Sequence, residues 1–264
     1  MLDEALAIVR DRRGVDFRGY RRATIERRLL NRILSSRAPS ATAYLDELRA
    51  RDAETDRLIA TLTVKVSRFF RNAPVFEALR DLVQTDLRER FAGQPLRVWS
   101  AGCGNGEEAY TLAMLLGTTP GEVWGTDIDA SALAEASAGC YPGEAVRELP
   151  VTLADDFLER TGPGTVTVRD HLRRRVRFLR HDLAGAATPP EGGVFHLVCC
   201  RNVVIYFDPV IQRRIMQLVV GSLAPGGVLC LGEAEWEGEL AWALEPLDRR
   251  RKLYRRRSPE TTPR

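Results

Sequence analysis

The sequence predicts an α/β protein in which a Rossmann-like, doubly wound parallel sheet follows a small all-α segment. Three observations carry this. Strands and helices alternate beyond residue 95 at the spacing of a parallel sheet, the first strand runs into a glycine-rich turn with a helix directly behind it, and residues 1–62 hold only helix-like stretches. The division falls near residue 75: an all-α basic part with its linker over 1–75, and the sheet-forming part over 76–264.

Helical periodicity covers roughly 2–12, 19–34, 41–50 and 54–62. Ala38-Pro39-Ser40 separates the second stretch from the third, with Ser40 as an N-cap. Asn72-Ala73-Pro74 opens a further helix to about Phe91, closed by Gly93 and Pro95. Strands follow near 96–100, 122–126, 175–179, 194–200 and 227–232, and a last basic strand near 251–256. Thr161–Arg169 (TGPGTVTVR) interrupts the pattern and reads as a small antiparallel hairpin. The tail from Ser258 to Arg264 is expected to fray.

The stretch LRVWSAGCGNGEEAY (Leu96–Tyr110) is the most informative. Gly102, Gly104 and Gly106 after an apolar strand let the backbone approach a bound nucleotide closely. Dinucleotide folds share that device. The helix behind it, however, opens with Glu107 and Glu108, where a pyrophosphate site keeps the helix N-terminus free for its anion. Two carboxylates there favour a cation, and S-adenosylmethionine carries an ammonium and a sulfonium but no phosphate. Asp127, at the end of the next strand, is placed to accept hydrogen bonds from ribose hydroxyls. Asp127 or Asp129 could instead cap the following helix; Asp129 fits the cap better and leaves Asp127 for the ribose.

Composition bounds the alternatives. With 44% hydrophobic and 28% charged residues, the chain matches an ordinary soluble globular protein. No apolar run approaches the ~18 residues of a membrane span, and MLDEALAIVRDRRG lacks a signal peptide's apolar core. Five cysteines without Cys-x-x-Cys spacing are read as reduced thiols in a cytoplasmic protein, and three scattered histidines argue against a His-based metal site. The charge is unevenly spread. Residues 10–37 contain ten arginines against three acids, and 245–264 hold eight basic residues against three acids. In Tyr20–Leu34, Ile25, Leu29, Leu30, Ile33 and Leu34 form the expected buried stripe, leaving Arg21, Arg22, Arg28 and Arg32 on exposed surface. That face is either simply solvated or meets an acidic partner. Nucleic acid is disfavoured, because aromatics for base stacking are scarce there.

These residues together resemble the CheR-type methyltransferases of bacterial chemotaxis. The resemblance rests on YRRATIERRLLNRI, VSRFFRN (Val66–Asn72), the loop ending GEEAY, TDID (Thr126–Asp129), SAGCYP (Ser137–Pro142) and CRNVVIYFD (Cys200–Asp208). It covers nearly the whole chain. It implies transfer of a methyl group from S-adenosylmethionine, leaving S-adenosylhomocysteine, to glutamate side chains on the cytoplasmic helical bundle of chemoreceptors. It also implies a class I methyltransferase domain with a small antiparallel β-subdomain, placed at about 161–178, behind an all-α N-terminal domain.

Position by position, the resemblance makes Ser67 a cofactor contact and Arg71 the arginine that closes over the cofactor and orients the acceptor carboxylate. Glu108 would hold the cofactor's amino group and Asp127 the ribose. Asp182 and Leu183 lie beside the adenine, Arg201 and Asn202 on the cofactor side, and Tyr206 faces the acceptor. From the residues alone, Tyr206 and Phe207 also read as core aromatics, and Arg71 as the partner of an acid on the glycine-loop helix.

Three departures from the family pattern stand out. Lys65 replaces a usual Asn near the cofactor, unfavourable beside a sulfonium unless it points away. Gly232-Glu233-Ala234-Glu235 replaces Gly-His-Ser-Glu. The hairpin loop is short beside relatives that dock a receptor tail, which implies an enzyme independent of that tether. Two alternatives accompany the receptor reading: a methyltransferase with another acceptor such as RNA, and an adenosyl-binding signalling subunit that has lost transfer.

Overall fold

A computed structural model describes residues 1–258 apart from Val64, Val66 and Glu237. Val66 of the VSRFFRN motif and the tail beyond Ser258 lie outside the described residues. The N-terminal part is a four-helix unit: α1 (Leu2–Arg13), α2 (Arg22–Ser36), α3 (Ala41–Ala50) and α4 (Asp52–Leu62). Gly14, at φ 65°, ends α1, and the Ser40 hydroxyl accepts the Ala43 N–H at 3.1 Å to start α3. Their core joins Val9, Phe17, Ile25, Leu29, Tyr44, Leu48 and Leu58.

The face assigned to α2 is corrected in two ways. Leu30 and Leu34 are 45% and 78% exposed, because only the row through Ile25 and Leu29 meets α1, α3 and α4. Conversely, Arg28 and Arg32 do not face solvent freely. Arg28 Nη1 donates to the carbonyls of Thr61, Leu62 and Thr63 at the C-terminus of α4, the negative end of that helix. Arg32 forms a two-pronged pair with Glu54, which is 1% exposed.

After the linker, α5 (Ala73–Leu82) continues through a π-helical turn (Val83–Leu87) into α6 (Arg88–Arg90). Then come β1 (Leu96–Ala101), α7 (Glu107–Leu116), β2 (Gly121–Asp127), α8 (Ala130–Ala138) and β3 (Cys140–Pro142). These are followed by α9 (Val151–Phe157), β4 (Leu158–Gly162), β5 (Thr165–Val168), α10 (Asp170–Arg173) and β6 (Val176–Arg180). The chain ends with β7 (Phe195–Cys200), α11 (Pro209–Gly221), β8 (Leu223–Leu231), β9 (Leu244–Asp248) and β10 (Leu253–Arg256). The main sheet has the order β6-β2-β1-β7-β8-β10-β9, parallel through β8, with β10 antiparallel to both of its neighbours. Its central strands are buried on both faces and read as apolar runs; all six residues of β7 are buried.

The small sheet is separate, in the order β3-β5-β4. It therefore begins at Cys140 rather than 161, while Val176–Arg180 pairs with β2 at the edge of the main sheet. Strand β9 has no counterpart among the expected strands, because Pro246 and its acidic neighbours break any apolar alternation. Among the described residues, no helix is long and apolar enough to cross a membrane.

Candidate active site

Strand β1 pairs with β2 on one side and β7 on the other, both parallel. The order in which the chain adds strands reverses between β1 and β7, so the loops leaving their C-terminal ends part around a crevice, the place where such sheets bind ligands. The loops after β1, β2, β6 and β7 line one cleft there. The opposite wall is formed by Thr63, Lys65, Ser67, Arg68 and Arg71 of the linker, with Tyr20. The cleft thus lies between the two parts of the chain.

In the first loop, Gly102, Gly104 and Gly106 all have positive φ, 75°, 54° and 94°. A Cβ on Gly102 would sit 2.4 Å from Val203 Cγ2, so glycine is what allows the loops after β1 and β7 to touch. Nothing lies within 4 Å of a Cβ on Gly104, which leaves open space toward the cleft. Asp127 holds this turn in place: one oxygen accepts the Gly104 N–H at 2.9 Å, the other the Asp129 N–H at 3.0 Å. Burial raises its pKa above 3.8, and its remaining lone pairs suit hydroxyl donors such as a ribose. Asp129 caps α8, accepting from Ser131 and Ala132 N–H.

The two acids opening α7 separate in role. Glu108 reaches the cleft, accepting the Ser100 hydroxyl at 2.8 Å and Arg201 Nη1 at 3.3 Å. Glu107 is 6% exposed; burial raises its pKa above 4.5, and its Oε2 has no hydrogen-bond partner. The expected pair of free carboxylates is therefore a single one, partly balanced by Arg201. Lys65 does not oppose a sulfonium: its ammonium sits 2.7 Å from Asp129 Oδ2.

The loop after β7 brings Arg201, Asn202 and Tyr206 to the same cleft. Arg201 is buried, packs over the Phe76 ring at 5.0 Å and donates to the Arg71 carbonyl at 3.3 Å. Asn202 turns the chain with φ 59°. Glu235, 3% exposed, braces that turn by accepting the Val203 N–H at 2.8 Å, while Glu233 accepts from the Asn72 amide at 2.9 Å. The substituted Gly-Glu-Ala-Glu segment thus supports the walls of the cleft. Asp182, which accepts the Ala184 N–H at 3.0 Å, and Leu183 line its far end.

Ser67, Arg71, Gly102, Gly104, Glu108, Asp127, Asp182, Leu183, Arg201, Asn202 and Tyr206 all line this one cleft. Arg21 and Arg22 lie outside it, at the start of α2; Arg21 N–H donates to the Tyr206 carbonyl at 2.8 Å, and Arg22 pairs with Asp3 at 2.7 Å. Sequence reasoning missed Tyr20, Thr63, His181 and Phe207. Tyr20 packs on Phe207 at 4.3 Å and bridges to its backbone, and burial, with the charges of Asp182 and Asp127, pushes its pKa up. An aromatic at the edge of a basic helix was the available signal; its partner 187 positions on was not. No group of three or more metal-ligating side chains occurs among the described residues.

A doubly wound sheet whose glycine turn is followed by a cleft-facing acid, Glu108, rather than a phosphate cradle fits a class I S-adenosylmethionine methyltransferase. Residues 65–241 match the family described as CheR methyltransferase, SAM binding domain, and residues 1–63 its all-alpha domain. The chain belongs to the CheR methyltransferase family. It is 35% identical over 240 residues to the chemotaxis protein methyltransferase of Escherichia coli, covering 86% of this chain and 81% of that one. It is 32% identical over 231 residues to chemotaxis protein methyltransferase 2 of Vibrio cholerae, covering 84% and 80%. An uncharacterized 104.1 kDa protein of Rhodobacter capsulatus is 32% identical over 258 residues, 94% of this chain but only 27% of that protein. The chain is accordingly an S-adenosylmethionine-dependent methyltransferase of chemotactic signalling.

Proposed function

We propose that this enzyme methylates glutamate side chains on the cytoplasmic helical bundle of chemoreceptors, without docking a receptor tail. The observation that carries this is the convergence of Arg71, from the linker, and Tyr206, from the loop after β7, on the cleft that Glu108 and Asp127 line. Within this reading, residues 76–264, joined by Ser67 and Arg71 of the linker, hold the cofactor, and the helical part of 1–75 meets the receptor. Asp127 takes the ribose hydroxyls, Glu108 the ammonium, Asp182 and Leu183 the adenine, and Ser67, Asn202 and the bare turn at Gly102 and Gly104 complete the cradle. Arg201 orients Glu108, its Nη1 lying 3.3 Å from Oε2.

When bound, S-adenosylmethionine supplies a methyl group on a cationic sulfur, which departs as a neutral thioether when a nucleophile takes the methyl. A glutamate side chain, with pKa near ~4.3, is already that nucleophile and needs no general base. The residues' work is therefore geometric. Arg71 grips the non-attacking oxygen, the Tyr206 hydroxyl donates to fix the angle, and Tyr20 with Phe207 shields the cleft from water. Anion and cation become two neutral products, so a desolvated cleft favours the reaction.

The receptor surface is assigned to the exposed side of α2, which carries Arg21, Arg22 and Arg27 in its first half and Leu30 and Leu34 in its second. Basic and apolar groups side by side suit an acidic helical bundle better than RNA, for which stacking aromatics are lacking. The hairpin β4–β5 turns through only Pro163 and Gly164, which supports independence from a tether.

The test is incubation with radiolabelled cofactor and receptor cytoplasmic fragments. Label on the fragment that mild alkali releases as methanol supports glutamate esters. Alkali-stable label, or transfer to RNA instead, overturns the assignment.

A further inference from the structure

Arg71 sits in a loop whose backbone is costly to hold. Phe70 and Asn72, on either side of it, have left-handed φ of 54° and 68°, which non-glycine residues adopt only where the surroundings over-determine them. Phe69 and Phe70 are fully buried, and their N–H groups donate to the Ala145 carbonyl at 3.0 Å and to the Thr111 hydroxyl at 3.2 Å. These contacts anchor the main chain on one side of Arg71. A different group spans it. Glu148, 76 residues beyond Asn72, accepts from Arg68 Nη1 at 2.8 Å through Oε1 and from the Asn72 N–H at 3.2 Å through Oε2.

We propose that Glu148 is a positioning residue for methyl transfer: its carboxylate bridges both flanks of the loop and fixes Arg71 toward the acceptor. This rests on the role given to Arg71 above. Glu148 lies in the turn between the 3-10 segment Gly143–Val146 and α9, inside the insertion that also supplies β3 and β4. That insertion thereby acts on the cleft without lining it, since Glu148 itself is not among the cleft residues. The bridge needs an anion. Both of its donors are N–H groups, so Glu148→Gln, of the same shape, offers one acceptor oxygen and one repelling amide.

The experiment is a double-mutant cycle with Arg71→Ala, Glu148→Gln and the double variant, reading turnover on a receptor fragment and cofactor affinity by calorimetry. A melting curve accompanies each variant. Glu148→Gln is expected to lower turnover ~10-fold, the scale of a sub-ångström displacement of a reacting group, with cofactor affinity unchanged. In the Arg71→Ala background the same change is expected to cost nothing further. Multiplicative losses would overturn the proposal, as would a loss confined to cofactor affinity, which would mean that Glu148 only neutralises Arg68. If Glu148→Gln does not fold, Arg68→Gln removes one arm of the bridge and carries the same expectation for turnover and for its coupling to Arg71→Ala. An Arg71→Ala enzyme of normal turnover would sink the reading of Arg71 itself.

Discussion

Lys65 and Asp129 form an ion pair, 2.7 Å from Nζ to Oδ2, that fastens the linker to the N-cap of α8. Thr63 donates its hydroxyl to the same carboxylate oxygen at 3.1 Å. Asp129 is 2% exposed, so these partners take the place of water around its carboxylate.

Replacing Lys65 with Asn is therefore expected to lower stability by several kcal/mol at most, as when one partner of a buried pair is removed (~3–5 kcal/mol). It should not tighten cofactor binding, because the ammonium is already spent on Asp129. Melting curves and calorimetry check both halves. A marked gain in cofactor affinity would show that Lys65 opposes the sulfonium after all.

The placement of three carboxylates in the cleft, Glu108, Asp127 and Asp182, predicts selectivity. The protein should bind S-adenosylmethionine and S-adenosylhomocysteine and show no useful affinity for NAD, whose diphosphate would meet Glu108. Asp127→Ala should weaken cofactor binding by ~1–3 kcal/mol, the scale of lost hydrogen bonds to a charged group. Calorimetry with each ligand decides the matter, and comparable NAD binding contradicts it.

Helix α2 separates recognition from folding. Reversing Arg21 and Arg22 to Glu should weaken receptor methylation and leave cofactor affinity alone. Since Arg22 and Asp3 are both exposed, losing that pair should leave the fold intact. Reversing Arg28 and Arg32 should instead unfold the helical part, by facing the C-terminus of α4 and buried Glu54 with anions. Wild-type methylation should also fall as salt rises, since exposed charges are screened beyond about 8–10 Å. Full activity in the Arg21, Arg22 reversal would make that face a merely solvated one.

Glu107 gives a pH dependence of definite sign. Burial raises its pKa in the folded protein above the ordinary 4.5, so the folded state holds its proton more tightly than the unfolded chain. The stability linked to that proton is fully present below pH 4.5 and is lost as pH rises through the folded pKa. Glu107→Gln should thus raise the melting temperature at pH 8, by about 2–4 °C per kcal/mol relieved, and gain little at pH 4. Equal gains at both pH values would contradict the buried-acid reading.

The glycine turn and the strands and helices around it were legible because each depends on local sequence: an apolar run, a glycine turn, a helix behind it. The wall formed by Tyr20 and Phe207 was not, since their packing joins residues far apart in sequence. Arg28 and Arg32 read as surface for the same reason; helical periodicity shows a polar flank but not the carbonyls and the buried acid that meet it. Glu107 and Glu108 are adjacent and chemically alike, and only the packing of α7 sends one inward. Leu30 and Leu34 were misplaced because one helix offered more apolar residues than its neighbours could cover.

The most direct test of the account is the turnover of Arg71→Ala on a receptor fragment, measured beside its cofactor affinity. Orientation of the acceptor carboxylate by Arg71 predicts a fall of at least ~10²-fold, the cost of misplacing reacting atoms by ~1 Å, with the protein folded and the cofactor still bound. Tyr206→Phe, which removes one hydroxyl, should lose less, about 0.5–1.5 kcal/mol. Undiminished turnover in Arg71→Ala would contradict the account.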